Sequence, residues 1–278
     1  MPHGRNKLHL NGYHVTSLIN CVNERPIFRG IMMDPLFYRI FESLPRQGPG
    51  NAESTRKAFL SLGELSPQSR ILDIGCGSGA QTLELARLCS CDIIAMDQHQ
   101  PFLDILQQKA VSEGLERKIH VASGDMFSLN LAKKSFDLIW SEGAIYIIGF
   151  EQGLREWKEF LTPKGYMAVT DISWLKNDPP KEIRDYWAQE YPGIMTDEEH
   201  LSLIESCGYR LMEHFILPES AWWDDFYTPM ESRIKELWKQ YAGNEEAQKI
   251  LDSLHEEIDL YRNYSDCYGY VFYIIQGQ

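Results

Sequence analysis

The chain has 278 residues, 44% of them apolar and 12% aromatic, enough to bury a sizeable core in one large domain or one and a half ordinary ones. Its 27 Lys and Arg against 40 Asp and Glu leave a formal charge of −13, which argues against the clustered basic surface that follows nucleic-acid phosphates. No run approaches the roughly 20 apolar residues of a membrane span, and the polar opening MPHGRNKLHLNGYH carries no signal-peptide core, so a cytoplasmic protein is expected. The six scattered cysteines, with no CxxC pair, fit free thiols in a reducing compartment, and Cys89 and Cys91 read as packing at a helix-to-strand junction.

Residues 1–32 read as an N-terminal extension, because Met32 and Met33 directly precede the helical MDPLFYRIFESLPRQGPG as a native start would. His3, His9 and His14 within it are too irregularly spaced to form a site. The rest, 33–278, reads as a single domain. Its first part, about 33–65, is a cap of two helices, over roughly 33–43 and 52–62, separated by the turn-rich PRQGPGN, with Asn51 able to cap the second.

From Ile71 onward strands and helices alternate, the pattern of a parallel sheet covered on both faces. Strands are expected at 70–75, 92–97, 118–123, 136–142, 165–172, 210–217 and 268–275. Pro101 opens a helix in its first turn, and Gly114 closes it where a left-handed residue is wanted. A further helix over 151–161 ends at TPKG. Between the last two strands, about 218–265, lies an insertion of two helices rich in Trp and Tyr, a candidate lid.

The stretch RILDIGCGSGAQ, residues 70–81, reads as a buried strand running into a glycine loop. Gly75-x-Gly77-x-x-Ala80 fits a dinucleotide fingerprint, while Gly75-x-Gly77-x-Gly79 fits a loop around S-adenosylmethionine. Asp73 favours the second, since a carboxylate there repels a pyrophosphate and suits ammonium and sulfonium charges. Asp97, at the end of the second strand, can accept both ribose hydroxyls in either case. Gly124-Asp125-Met126 puts a carboxylate and an apolar side chain where an adenine can be held, and Ser141-Glu142-Gly143-Ala144 ends the fourth strand at the ligand-binding carboxyl edge.

LDIGCGSG, Asp97, GDMF and FDLIWSEGAIYIIGF together resemble the class I S-adenosylmethionine-dependent methyltransferases, small-molecule type, similar to the ubiquinone and menaquinone biosynthesis methyltransferases. The resemblance covers roughly residues 50–217 and implies a Rossmann-like, doubly wound α/β fold. Its seven-stranded sheet would have an antiparallel last strand, with helical additions at the N-terminus and between the last two strands. It also implies S-adenosyl-L-methionine as cofactor, with S-adenosyl-L-homocysteine as product. Asp73, Gly75, Cys76 and Gly77 would then surround the cofactor's amino-acid part, Asp97 its ribose, Gln98, Gly124 and Met126 its adenine, and Asp125 the adenine amino group. Ser141 and Glu142 would face the sulfonium, and Arg46 and Gln47, in a segment similar to a helical cap of some members, the carboxylate.

Methyl transfer from a sulfonium asks the protein mainly to align the acceptor and exclude water. Glu142 and Tyr146 are candidate catalytic residues; Asp171 and Trp174 stand near the same edge, with His99 and His214 as weaker candidates. Trp174, Tyr191, Trp222, Trp223 and Tyr227, with Phe226, are candidate walls for a small-molecule acceptor that is apolar, planar or cationic. The fourth strand lacks the Asn/Asp-Pro-Pro-aromatic loop of amino-group methylation on nucleobases, and no metal set is assignable. The acceptor atom stays open among O, N, S and C. A non-catalytic S-adenosylmethionine-binding protein and a nicotinamide-dependent oxidoreductase are the alternatives. Aromatic helices such as those after Trp222 often pack across dimers, so a homodimer is a further expectation.

Overall fold

The computed structural model describes residues 35–278; the extension over 1–32, its histidines and the Met32–Met33 start lie outside the described residues. Two helices come first, α1 (Pro35–Phe41) and α2 (Ala52–Leu60). Asn51 caps α2, its Oδ1 accepting from the Ser54 N–H at 2.8 Å. The alternating region follows as β1 (Arg70–Ile74), α3 (Ala80–Leu88), β2 (Asp92–Asp97), α4 (Gln100–Ser112), β3 (Ile119–Ser123) and β4 (Phe136–Ser141). Then come α5 (Ile145–Ile148), α6 (Phe150–Trp157), β5 (Leu161–Trp174), α7 (Lys181–Glu190), β6 (Met195–Thr196), α8 (Asp197–Ser206) and β7 (Tyr209–Ile216). The chain closes with α9 (Ser220–Trp222), a π turn over Trp223–Tyr227, α10 (Thr228–Gln240), α11 (Glu245–Tyr264) and β8 (Tyr268–Gly277).

The sheet runs β3-β2-β1-β4-β5-β8-β7, parallel except for β8, which is antiparallel to both β5 and β7. The seven expected strands are present, and the two-residue β6 adds an eighth beside the end of β5. Alternate residues of the central strands feed two cores. Ile71, Leu138 and Trp140 face one helical layer, and Leu72, Ile74 and Ile139 face the other. Burial on both faces makes β1 an almost uninterrupted apolar run, which is why Asp73 within it requires partners.

One boundary differs from expectation. The helix expected over 151–161 is α6 continued by a 3-10 turn over Lys158–Phe160, but TPKG lies inside β5, where the pairing with β4 jumps from Phe136↔Leu161 to Leu138↔Tyr166. Lys164 there has φ +63°, so the turn chemistry of Pro-Lys-Gly makes an excursion within the strand and does not end the element before it. The helical insertion between β7 and β8 packs back on the same layer as α1. Phe41 and Phe226 have ring centroids 6.1 Å apart, so the N-terminal cap and the insertion meet over the carboxyl ends of β1, β2 and β4.

Candidate active site

A cavity of about 270 Å³ opens at that carboxyl edge. Its floor is the loop after β1. Gly77 and Gly79 have φ +53° and +83°, backbone that favours glycine, and a Cβ on Gly79 would lie 2.1 Å from Leu106 Cδ1 of α4. The loop's amides are all engaged within the chain. Gly75 and Cys76 N–H donate to the Met96 carbonyl at 2.9 and 3.0 Å, Gly79 N–H to the Cys76 carbonyl at 3.0 Å, Gly77 N–H to Asp97 Oδ2 at 2.9 Å and Ser78 N–H to Gln47 Oε1 at 2.7 Å.

Asp97 lines the cavity and also accepts from the His99 N–H at 2.9 Å; burial raises its pKa above the ordinary carboxylate value. Gly75, Cys76, Gly77, Gln98, Gly124, Asp125 and Met126 line the same end. Asp125 Oδ1 accepts from the Phe127 N–H at 3.0 Å, a local turn that also brings Phe127 to the wall. Above them α1 forms a roof: the Tyr38 ring stacks on His99 at 3.9 Å, and His99 Nε2 pairs with Glu42 Oε1 at 2.7 Å.

Arg46 and Gln47 both line the cavity, but each has a protein partner. The Gln47 amide spans the cap and the loop, donating to the Phe41 and Leu44 carbonyls while its oxygen takes the Ser78 amide. Arg46 donates to Glu142 Oε2 at 2.5 Å. Glu142 Oε1 accepts from Thr55 Oγ1 at 2.7 Å and from Trp140 Nε1 at 2.9 Å. Glu142 itself lines the cavity, and its carboxylate, held by three donors, anchors the Arg46 guanidinium there.

Several other expected contacts are replaced. Asp73 does not line the cavity. Its carboxylate is fully buried behind the loop, accepting from Thr82 Oγ1 at 2.6 Å and Gln81 Nε2 at 3.4 Å, and burial pushes its pKa up to about 7. It ties β1 to the first turn of α3. Ser141 is also fully buried, donating to the Ile74 carbonyl at 2.9 Å. Trp174 packs edge-on against Tyr268, Trp223 lies under the Arg262 guanidinium, and Tyr227 is buried with its hydroxyl on Glu257 at 2.8 Å; none of the three lines the cavity. Asp171 is buried, bonded to His200 Nε2 at 3.1 Å and receiving the Tyr191 hydroxyl at 3.3 Å. His214, on the outer strand β7, pairs with Asp197 at the start of α8.

Tyr146, Tyr191, Trp222 and Phe226 do form the far end of the cavity, joined by Ile172, Trp187, Glu190, Glu257 and Tyr270. Trp187, Glu190 and Glu257 were not singled out in the sequence. Glu257 had a readable signal, since it falls on the face of α11 that carries Leu254, Ile258 and Tyr261, where an amphipathic helix places apolar residues. Trp187 and Glu190 lie three apart on α7, a ten-residue helix whose one fully buried residue is Ile183.

A doubly wound sheet of this order with one antiparallel strand, and a glycine loop facing an acidic strand end, define the class I S-adenosylmethionine-dependent methyltransferase fold. The chain has this fold, and residues 71–165 match a family model described as a methyltransferase domain. The chain is 32% identical to methyltransferase GfsG of Streptomyces halstedii over 39% of this chain and 40% of that protein. It is 29% identical to the glycine/sarcosine/dimethylglycine N-methyltransferase of Actinopolyspora halophila over 58% and 27%, and 28% identical to the demethylmenaquinone methyltransferase of Lactobacillus johnsonii over 46% and 54%. The chain thus spans about half or less of the length of these curated relatives. Among solved structures, a SAM-dependent methyltransferase from Geobacter sulfurreducens in complex with S-adenosyl-L-homocysteine is similar at TM-score 0.77, 18% identical, covering 88% of this chain and 99% of that one. The [4+2]-cyclase SpnF is similar at TM-score 0.68 and 18% identity over 90% and 94%, so the fold also carries other chemistry.

Proposed function

We propose that the protein binds S-adenosyl-L-methionine in the Gly75–Asp97–Asp125 end of the cavity and methylates a small molecule held at the Trp187–Trp222 end. The observation that carries the choice of cofactor is the state of the loop amides. A pyrophosphate needs free N–H donors at a helix N-terminus. Here the amides from Gly75 to Gly79 are spent on Met96, Cys76, Asp97 and Gln47, and the carboxylates of Asp97 and Asp125 border the same space. A cationic nucleoside suits that environment and a dianion does not.

The residues fit the cofactor group by group. Asp97 faces the cavity as an acceptor for ribose hydroxyls, and Met126 and Phe127 offer apolar surface for a base beside Asp125. Arg46, fixed by Glu142, offers its guanidinium for a carboxylate. When bound, S-adenosyl-L-methionine supplies a methyl group on a leaving group that is already activated. The chain's part is then positioning: α1 and the insertion cover the strand ends, and the aromatic walls keep water from the acceptor. The relatives' names refer to glycine derivatives in one case and demethylmenaquinone in another, which supports a small-molecule acceptor without choosing one.

The test is calorimetric titration with S-adenosyl-L-homocysteine beside a reduced nicotinamide dinucleotide. Micromolar affinity for the first and none for the second is expected; the reverse overturns the assignment. Binding of S-adenosyl-L-methionine with no methyl transfer to any acceptor would point instead to a non-catalytic binding protein.

A further inference from the structure

The edge of the sheet opposite the cavity carries chemistry that methyl transfer does not use. There α3 passes into β2 through three residues, Cys89, Ser90 and Cys91. Cys91 is 1% exposed and its thiol lies 3.7 Å from the Ser66 carbonyl, so it packs as the sequence suggests. Cys89 is only half-buried, and Ser90 beside it is exposed. The Cys89 sulfur accepts the Cys91 N–H at 3.4 Å, and the Cys91 thiol is within hydrogen-bonding reach of it as well. Lys118 Nζ donates to the Ala86 and Cys89 carbonyls, each at 2.7 Å, which sets an ammonium at the end of α3 beside Cys89.

All of these groups favour negative charge on the Cys89 sulfur. The carboxyl end of a helix opposes an anion next to it, and the Lys118 ammonium offsets that field. A thiolate is a stronger acceptor than the Ser66 carbonyl, so the one Cys91 thiol proton turns to it when it forms. The Cys91 hydrogen bonds and the Lys118 charge bring the Cys89 pKa down to about 7, against the opposing effect of burial. Cys76, Cys91 and Cys267 move the other way. Burial raises Cys76 and Cys267, and Cys91 goes up because its proton is held by Cys89, with the Asp137 carboxylate adding to the effect.

We infer that Cys89 and Cys91 form a peroxide-reactive dithiol, with Cys89 as the attacking sulfur and Cys91 as the thiol that resolves it to an intrachain disulfide. The Cys89 thiolate attacks one oxygen of a hydroperoxide; the O–O bond breaks, and the departing oxygen takes a proton from solvent and leaves as water or an alcohol. The Cys91 sulfur then bonds to the Cys89 sulfenic sulfur, its proton joins the sulfenic hydroxyl, and water leaves. The two thiols are oxidised by two electrons and one hydroperoxide is reduced. Cys89, Ser90 and Cys91 belong to neither α3 nor β2, so the two sulfurs can approach through adjustment of the link between them.

The experiment exposes the full chain to hydrogen peroxide, with Cys21→Ser to remove the cysteine outside the described residues. Remaining thiols are blocked with iodoacetamide before digestion with trypsin. Cys89 and Cys91 fall in one tryptic peptide, 88–109, which holds no other cysteine. That peptide should lose the mass of two hydrogen atoms and resist alkylation until dithiothreitol is added. Cys91→Ser should leave Cys89 as a sulfenic acid that dimedone traps, and Cys89→Ser should leave Cys91 unoxidised at the same dose. In the untreated protein Cys89 should alkylate at least about tenfold faster than Cys76, Cys207 or Cys267. Alkylation of Cys89 no faster than those three, or peroxide carrying Cys89 to sulfinic acid with no disulfide, overturns the inference. Thermal midpoints of the serine variants close to wild type show that lost reactivity is not misfolding, and the result does not depend on what the cavity binds.

Discussion

The Arg46 guanidinium lies 2.5 Å from the Glu142 carboxylate, joining the loop before α2 to the end of β4 across 96 residues of sequence, with both side chains buried. Removing one member of a buried pair strands the other charge, at a cost of about 3–5 kcal/mol. Glu142→Gln should therefore lower the unfolding free energy from urea denaturation by that amount, and Arg46→Met together with Glu142→Leu should recover much of the loss. Cofactor affinity should fall in Glu142→Gln through the displaced guanidinium. A variant with wild-type stability and affinity but no turnover would instead give Glu142 the chemical role expected from its strand-end position.

Asp73 makes stability depend on pH. Its folded pKa, about 7, is above the ordinary value of 3.8, so the folded state binds more protons than the unfolded chain between those values. Stability from this group is present below about pH 4 and is lost as pH rises through about 7, a change on the order of a few kcal/mol. Asp73→Asn should flatten that part of the profile of unfolding free energy against pH between 5 and 8. An unchanged slope would mean that the Thr82 and Gln81 hydrogen bonds keep Asp73 ionised in the folded protein.

Asp97 faces the cavity while holding the Gly77 and His99 amides. Asp97→Ala should weaken S-adenosyl-L-homocysteine binding by roughly 1.5–3 kcal/mol, one to two decades in Kd, through lost acceptors and a loosened loop. Asp97→Asn keeps one acceptor oxygen and should fall between the two. Calorimetry on all three proteins checks the order; an unchanged Kd in the alanine variant removes Asp97 from the site.

The sheet was legible because burial on both faces makes β1, β2 and β4 continuous apolar runs, and because Pro101 and Gly114 mark the ends of α4. The glycine loop was legible because Gly77 and Gly79 take positive φ, backbone that favours glycine. What a linear reading assigns by proximity to that loop is less secure. Asp73 and Ser141 are adjacent to the site in sequence, yet strand alternation turns both away from the cavity toward Thr82 and Ile74. Among the aromatic residues after β7, the π turn sends Trp222 and Phe226 to the cavity, Tyr227 to Glu257 and Trp223 to Arg262, a sorting that composition does not encode. Trp187 lines the cavity with Glu190 while packing edge-on against Tyr268 of β8, a long-range contact that the sequence around α7 does not encode.

Tyr38 lines the cavity beside the proposed nucleoside site, stacked on His99 at 3.9 Å and set edge-on to Phe102 at 6.4 Å. Each aromatic pair of this kind adds about 0.5–1.5 kcal/mol beyond area burial. These contacts fix the roof, so they oppose release of whatever lies beneath more than its entry. Tyr38→Ala should raise the dissociation rate of S-adenosyl-L-homocysteine about three- to tenfold with little change in association rate, and Tyr38→Phe should stay near wild type because the ring, not the hydroxyl, makes the stack. Stopped-flow tryptophan fluorescence separates the two rates. A slowed association with unchanged release would mean that α1 organises the site before the ligand arrives and does not act as a roof over it.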